Sequence, residues 1–517
     1  MVRCSPAVVR LGGGKSRDSR YIPNVLNLIR EQRRFFLGTT LAGLALRLFF
    51  VVYFPAVTDD SRIYADLATN WLQHGIYGQT QANPEKAILP TDARLPGYPA
   101  FLAGIFWIFG AGNLKAVLLA QILVDLATCL IVADLARRVA SERAARIAFV
   151  LAALCPFLAN YAAAELTETL EIFFTTLALD GAVAALGWMH DTGLDAGVPS
   201  ANSGQALDLA GGKLWAVTGA AVAACIFVRP DGGLLLAAVL LYLVVVAWKI
   251  LASKDRAGKK NTAGLLVAAI IVAGFALAPL VPWTIRNWRS LHHFQPLAPR
   301  YANDVDELVP RGFNRWVKTW IVDYASVEEI YWNVAGEKID PQKLPSRAID
   351  NDNSNPDEKA ATLAVIADYN ESEDMTPELD ARFANLAAER IRAHPVRYYV
   401  VLPLLRVADM WLRPRTELLP SDPRWWEFND ATKGSFIAVG FGLLNLAYVA
   451  AALLALLHRR SRRPGGIRWA GLLVSFLLLR SAFLGTVENP EPRYMLECYP
   501  AIIVLASSWL ARRSWDH

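Results

Sequence analysis

Asp59 and Asp60 stand side by side directly after the apolar run Phe35 to Val57, and they open the stretch DDSRIYADLATNWLQHGIYG. Paired carboxylates at the end of a membrane span have two chemical uses. One carboxylate can take a proton from a hydroxyl, and a helix N-terminus welcomes an aspartate as a cap. Capping accounts for one of the pair and leaves its neighbour over. After Asp60, residues Ile63, Tyr64, Leu67, Ala68, Trp71 and Leu72 recur at helical spacing, while Arg62, Asp66, Asn70 and Gln73 take the other face. That pattern predicts an amphipathic helix lying in the membrane interface, ended by Gly75 and Gly78. Farther on, Arg94 precedes a Pro-x-x-Pro turn into the apolar piece Gly97–Gly110. An interfacial arginine anchors headgroups, or it holds a phosphate through charge-assisted hydrogen bonds.

Other polar residues sit where lipid would penalise them. Glu165 and Glu168 lie at i and i+3 in a membrane-edge turn. They are candidates to hold a metal or orient an acceptor, against the simpler reading of solvated loop charge. Arg229 at a span end either snorkels or touches substrate. Arg47, Gln121, Asp125, Asp180 and Arg480 fall inside predicted spans and must face the bundle interior or a cavity. Asp125 and Asp180 read as structural partners, and Arg480 is expected to pair with Glu488. The five cysteines (Cys4, Cys129, Cys155, Cys225, Cys498) are scattered without CxxC or Cys/His spacing, so neither a disulfide framework nor a zinc finger is expected.

The elements that must position these groups follow from composition. Of 517 residues, 54% are hydrophobic and only 19% charged, which indicates a polytopic membrane protein rather than a soluble one. The net charge of +5 is small, and no nucleic-acid partner is expected; membrane lipids are. Apolar runs predict spans near 36–56, 114–135, 146–161, 168–188, 213–229, 232–252, 263–284, 435–457, 467–485 and 495–511. Basic clusters at Arg30–Arg34, Arg137–Arg146, Lys249–Lys260, His458–Arg468 and Ala511–Arg513 share one side only if Gly97–Gly110 and Arg397–Pro414 do not cross. Ten spans with both termini cytoplasmic is the favoured topology, and twelve results if both pieces cross. The expected divisions are a basic cytoplasmic tail (1–34), an N-terminal transmembrane module (35–285) with its first outer loop at 57–113, an outer lid-like domain (286–434) and C-terminal transmembrane helices (435–517).

Read in order, these segments resemble a known family. The Asp-containing loop end with Tyr64 four residues after Asp60, then NWLQHGIYG and RLPGYPAFLA, is similar to the first outer loop of membrane glycosyltransferases of the C-type fold. The closest branch is the protein O-mannosyltransferase and lipid A aminoarabinose transferase group. ELTETLEIFF, VRPDG, VPWTIRNWR and ENPEPRYMLECYP continue the resemblance, which spans Thr58 to Pro500 but is weak in the middle outer domain. The resemblance implies an all-α polytopic fold of about ten to twelve spans with juxtamembrane helices and a small periplasmic domain. It implies a bacterial inner-membrane location with the active site on the periplasmic face. It also implies a sugar donor on a polyprenyl phosphate and an acceptor hydroxyl belonging to a lipid, a glycan or a protein.

The chemistry of the residues agrees with that implication. A phosphate leaving group needs no proton, so one carboxylate suffices where glycosidases need two. It does need positive charge or a metal. Arg94, Arg286 and Arg493 are placed by topology to supply that charge, with Arg229 as a further candidate. By resemblance the catalytic base is Asp60 rather than Asp59, with Tyr64, Tyr494, Glu165 and Glu168 orienting substrate or a metal. The aminoarabinose branch has Asp-Glu where this chain has Asp60–Ser61, which leaves Asp59 as the neighbouring carboxylate. No cofactor is demanded, and a divalent metal ion stays open. Two rival readings are a flippase of lipid-linked glycans and an envelope polysaccharide ligase. The polar motifs cluster outside the bundle rather than at its midplane, as a transporter would require.

Overall fold

In lipid every backbone polar group must be satisfied within its own segment, so long apolar runs become helices. The computed structural model describes residues 25–81, 87–191, 204–252, 262–303, 307–350, 356–428, 432–457 and 466–512. Most of the expected cytoplasmic tail with Cys4, and much of the basic loops at Lys249–Lys260 and His458–Arg468, lie outside the described residues, as does Arg513.

The first half runs α1 (Val25–Glu31), α2 (Arg33–Tyr53), α3 (Asp59–His74), a two-stranded antiparallel hairpin β1 (Gly78–Thr80) and β2 (Ile88–Pro90), α4 (Gly97–Phe109), α5 (Leu114–Val139), α6 (Glu142–Ala153) and α7 (Pro156–Tyr161). Then come α8 (Glu168–Asp191), α9 (Gly204–Val228), α10 (Gly233–Ala252), α11 (Thr262–Leu277) and α12 (Leu280–Leu291). The outer region contains α13 (Arg311–Val317), two single turns α14 (Tyr324–Ser326) and α15 (Ser346–Ile349), α16 (Pro356–Ser372), α17 (Pro377–Ala393) and α18 (Leu402–Leu412). The chain closes with α19 (Thr432–Leu457), α20 (Gly466–Leu484) and α21 (Tyr499–Leu510). The protein is an all-α multi-pass membrane protein. Among the described residues, seven helices are long and apolar enough to cross a membrane.

Two expected spans take another form. The run 146–161 is broken at Leu154–Cys155 into α6 and α7, where Pro156 starts a new helix at a position that needs no donor. The run 495–511 begins as a tight turn at Pro492–Cys498, and α21 has only 12 residues, about 18 Å of rise. Ten residues of α21, Tyr499 through Ser508, are buried against protein rather than lipid. Helix α20, Gly466–Leu484, has 19 residues and coincides with the expected run 467–485. Gly97–Phe109 is a 13-residue helix, short as expected for an interfacial piece.

The main core gathers small and branched side chains of α5 to α10 around α21, such as Val132, Ala148, Leu179, Val239 and Ile503. A second core sits in the outer region, where Trp316, Trp320, Tyr369 and Phe383 pack together. Arg406 on α18 ties that region down by donating to Ile321 O (3.0 Å) and Gly485 O (3.2 Å). Two expected structural partnerships are present. Arg47 meets Asp125 at 2.6 Å, and Arg138 meets Asp180 at 3.0 Å. The expected Arg480–Glu488 pair is not formed: Glu488 accepts from Arg300 at 2.7 Å, and Arg480 turns inward. Cys129, Cys155, Cys225 and Cys498 are free and buried.

Candidate active site

Helix α3 ends as read, with Gly75 in the left-handed region (φ 70°). Its start differs. The cap is Thr58, whose hydroxyl accepts from Ser61 N while the Ser61 hydroxyl accepts from Thr58 N. A Thr-x-x-Ser box satisfies both orphan amides, so neither aspartate is consumed by capping. The buried stripe is Ser61, Tyr64, Leu67 and Ala68, with Asn70 beside it donating to Gly78 O; Trp71 and Leu72, expected on that face, are more than a third exposed. The two aspartates part company. Asp59 points to solvent with its side chain 93% exposed and pairs with Arg62, whereas the Asp60 side chain is 32% exposed and turns inward.

Two pieces of backbone bring Asp60 to its partners. Ala56 N donates to Ala163 O (3.1 Å) and Ala56 O accepts from Glu165 N (3.3 Å), stitching the α2–α3 link to the turn before α8. Gly97 lets the start of α4 approach the end of α9, since a Cβ there would lie 2.5 Å from the Phe227 carbonyl. Arg94 and Arg229 thereby share one neighbourhood.

Asp60 accepts from Arg94 Nη2 at 3.0 Å and faces Arg493 Nη2 at 3.7 Å. Burial alone would raise its carboxyl, but Arg493 and Arg94 together hold it below the ordinary carboxylate range. Arg94 also donates to Ala302 O (3.1 Å), and Tyr77 OH fixes the Arg94 carbonyl (3.0 Å). Arg493 meets Glu491 at 2.5 Å and Glu168 at 3.8 Å. Glu168 meets Arg229 at 3.4 Å, and Arg229 meets Glu171 and Asp231, each at 3.2 Å. Arg480 closes the inner end, 2.7 Å from Glu497, 3.0 Å from Asp231 and 3.6 Å from Glu171. Tyr494 lies under both guanidiniums, 4.9 Å from Arg229 and 5.5 Å from Arg493, and donates to Glu491. Tyr64 packs edge-on against Tyr98 at 5.1 Å; burial, with Asp60 nearby, pushes its phenol up to about 12.

The structure thus brings Asp60, Arg94, Arg493, Arg229, Glu168 and Tyr494 into one network, with Tyr64 at its edge. Glu165 is buried beside it with Oε1 lacking a protein partner, and burial pushes its carboxyl up to about 7. Glu165 precedes α8 and Glu168 starts it, so the two do not share a regular helical face. Arg286 is held apart. It donates to Thr91 O (2.8 Å) and to Tyr77 O, and it lies 5.1 Å from the Trp283 ring in a groove of about 460 Å³ with Trp71 and Phe227. It clamps the base of the hairpin, from which the chain runs on to Arg94. Glu171, Asp231, Glu491 and Glu497 were missing from the sequence reading. Their signal was available, because each is a carboxylate within or beside an apolar run.

A carboxylate between two guanidiniums can accept a proton, and the same guanidiniums can hold an anion. Among the described residues no three His, Cys, Asp or Glu side chains gather as ligands for a metal ion.

Residues 92–186 match the family model of dolichyl-phosphate-mannose-protein mannosyltransferases. No curated protein sequence matches the chain. Among solved structures it is similar to the oligosaccharyltransferase AglB of Archaeoglobus fulgidus in complex with an inhibitory peptide and a dolichol-phosphate, at 12% identity, 92% of this chain, 50% of that chain and TM-score 0.47. The same enzyme tethered to an acceptor peptide gives 12% identity, 91% and 49% coverage and TM-score 0.49. ArnT of Cupriavidus metallidurans bound to undecaprenyl phosphate gives 13% identity, 92% and 77% coverage and TM-score 0.37. The chain spans about half the length of the oligosaccharyltransferase chains it matches. The resemblance read from the motifs is thereby shown over residues 92–186, the segment that carries Arg94, Glu165, Glu168 and Glu171.

Proposed function

We propose that this chain transfers a glycosyl group from a polyprenyl-phosphate carrier to an acceptor hydroxyl at the periplasmic face of a bacterial inner membrane. The observation that carries the reading is Asp60, held ionised between Arg94 and Arg493 while its neighbour Asp59 faces solvent. The family model over residues 92–186 supports a donor of the same class, since its name specifies a dolichyl-phosphate-linked mannose.

In this mechanism the carrier phosphate takes Arg94 and Arg493 as its counter-ions and loosens their hold on Asp60. A carboxylate released from two guanidiniums regains basicity, because the cause of its low pKa has moved to the ligand. The acceptor oxygen attacks the anomeric carbon and its proton passes to Asp60. The bond from that carbon to the phosphate oxygen breaks, and the electron pair stays on the phosphate as a second negative charge. The two guanidiniums stabilise that developing charge. Attack from the side opposite the phosphate inverts the sugar carbon. The test is transfer by the purified protein in lipid nanodiscs from polyprenyl-phosphate hexoses and pentoses to membrane-derived acceptors, with Asp60→Asn alongside. Full activity of that variant, or a product of retained configuration, refutes the reading.

A further inference from the structure

Two residues before Arg94 stands a carboxylate–histidine pair that the mechanism does not use. Asp92 is buried, and its Oδ2 lies 2.7 Å from His293 Nε2. The other ring nitrogen, Nδ1, lies 3.2 Å from Leu291 O, one of the terminal carbonyls that α12 itself cannot satisfy. The turn that brings the ring round is tight: His292, not a glycine, holds the left-handed region at φ 58°, and Asn287 Nδ2 donates to Gln295 O at 2.7 Å. Further contacts tie the same segments together. Arg286 donates to Thr91 O at 2.8 Å, Ala93 N donates to Thr91 Oγ1 at 3.0 Å, and Tyr77 OH donates to the Arg94 carbonyl. Beyond Gln295 the chain reaches Ala302, whose carbonyl accepts from the Arg94 guanidinium. The Arg94 backbone is thus suspended between Tyr77 on one side and the Asp92 anchor on the other. The His293 side chain is 30% exposed, so its protons exchange with solvent.

Both partners of this ring are acceptors. A backbone carbonyl can only accept, and so can an ionised carboxylate. Each ring nitrogen must then carry a proton, which makes the ring an imidazolium. Shifting the Nε2 proton onto Asp92 leaves the proton count of the pair unchanged. Removing one proton sets an acceptor against an acceptor, and one of the two contacts opens. A positive ring also suits its place just past the C-terminus of α12, the negative end of the helix dipole. Of the charged groups around the pair, Arg286 on α12 feels the Asp92 carboxylate, while Arg289 and His292 are exposed. We propose that Asp92 and His293 form a proton-dependent latch that positions Arg94, tight while the pair holds both protons and slack once it loses one. The inference rests on the reading above that Arg94 holds the carrier phosphate. A histidine changes charge between about pH 5 and 8, so the contribution of the latch is full in acid and is lost as pH rises through that range. Once slack, the latch leaves the stretch before Arg94 tied to α12 through Thr91 alone, and the guanidinium is no longer fixed opposite Arg493.

The experiment compares the wild type with His293→Gln, full-length in nanodiscs, across that pH range. Glutamine keeps one donor for Asp92 and does not titrate. The first readout is amide hydrogen exchange over residues 89–96, taken as a ratio of the two proteins at each pH so that the intrinsic rate cancels; exchange around Trp316 checks that the fold is intact. Near the acid end the wild type should exchange about threefold more slowly, in line with one hydrogen bond, and near the alkaline end the two should converge. The second readout is affinity for undecaprenyl phosphate, whose wild-type-to-variant ratio should follow the same course. Titration of the network carboxylates is common to both proteins and cancels. On an Arg94→Ala background the affinity ratio should stay at one throughout, while the exchange ratio keeps its pH dependence. An exchange ratio that is flat with pH, or a variant that exchanges no faster, overturns the latch. An affinity ratio that is flat, or that survives Arg94→Ala, overturns the positioning of Arg94. A wild type that binds no undecaprenyl phosphate overturns the functional reading and the positioning role with it, and the exchange ratio still decides whether the latch exists.

Discussion

Two buried arginine sites in this molecule are built on opposite terms. Inside the bundle, Arg47 is fully buried and spends its donors on Asp125 (2.6 Å), Gly43 O (2.8 Å), Ala153 O (2.6 Å) and Cys129 Sγ (3.4 Å). One positive charge meets one negative charge, and no nitrogen is left over. At the mouth, the network linked through Arg94, Arg493, Arg229 and Arg480 joins four guanidiniums to six carboxylates, Asp60, Glu168, Glu171, Asp231, Glu491 and Glu497. Glu168 Oε2 and Glu497 Oε1 are buried without a hydrogen-bond partner among the described residues, and Asp60 remains open to solvent. A closed pair like Arg47–Asp125 holds helices in register. A network with unused capacity and an open edge has room to exchange partners with a ligand. Charge buried in a membrane protein therefore does not by itself mark function; incomplete satisfaction at an accessible edge does.

The largest expected effect falls on the open edge. Asp60→Asn keeps the shape and removes the base, so transfer should drop on the order of 10²–10⁴-fold, while thermal unfolding falls only by the modest amount that a partly exposed ion pair contributes. The pH profile offers an independent check. Arg493 and Arg94 outweigh burial and depress the Asp60 pKa, so its carboxylate persists as pH falls through the ordinary range. Its contribution to stability is present above the unfolded-state value and is lost as pH falls through the lower folded-state value. The acid limb of kcat/KM, which reports the free enzyme, should lie below the usual carboxylate value. An acid limb at or above that value would show that the guanidiniums do not control Asp60.

The closed site should respond in stability instead. Arg47→Met leaves Asp125 buried and unpaired and should cost about 3–5 kcal/mol, whereas Arg47→Met with Asp125→Leu should recover most of it. Denaturant unfolding in mixed micelles measures both. If the double variant stays as unstable as the single one, Arg47 matters through its carbonyl contacts rather than its charge pair, and the contrast between the two sites weakens.

A surplus of carboxylates makes a further demand on the network. A phosphate arriving beside more carboxylates than guanidiniums is repelled by each carboxylate that is still ionised, and uptake of a proton by one of them relieves the repulsion. Affinity for undecaprenyl phosphate should therefore strengthen as pH falls, by up to about tenfold per unit for each proton taken up. Isothermal titration in buffers of different ionisation enthalpy counts the protons directly, and an affinity flat between pH 6 and 8 would remove the surplus from the argument.

How much of this was readable beforehand differs between local and distant features. Helix α3 and its Gly75 terminus follow from a 3.6-residue period, and the separation of Asp60 from Asp59 follows from the same period once the helix start is known. The cap was misread because two aspartates hid the Thr58–Ser61 box one residue earlier. Hydropathy could not tell α21 from a lipid-facing span, because a stretch such as YPAIIVLASSWL is as apolar inside a protein as inside a bilayer. Arg480 was correctly expected to face inward, yet its partners Glu171 and Asp231 lie in other helices or turns, hundreds of residues away. Pairings across such separations are set by packing, which a single sequence does not display.

Arg286 refines the boundary of the network. Its guanidinium is occupied by Tyr77 O and Thr91 O, which places it as a clamp on the hairpin rather than a ligand of phosphate. Arg286→Ala should therefore weaken carrier binding only a few-fold, through a displaced Arg94, while Arg94→Ala costs more than tenfold. Equal losses would return Arg286 to the phosphate site and enlarge the open region to include the aromatic groove.

The smallest effect is the most direct measure of how sharply the chain divides its two adjacent aspartates. Asp59→Asn removes a carboxylate whose side chain is 93% exposed and whose partner Arg62 is 75% exposed, a pair of the kind that contributes little in water. Transfer should stay within twofold of wild type, and stability within about 0.5 kcal/mol. The result bears on mechanism because both residues lie in the first turn of α3 and feel the same helix dipole. If the dipole or a shared negative field were what matters, both substitutions would reduce activity together. If what matters is a carboxylate oxygen within reach of Arg94 and Arg493, only Asp60 can supply it, since the 100° step between successive helix residues sends Asp59 the other way. A tenfold loss in Asp59→Asn would show that the second carboxylate takes part after all.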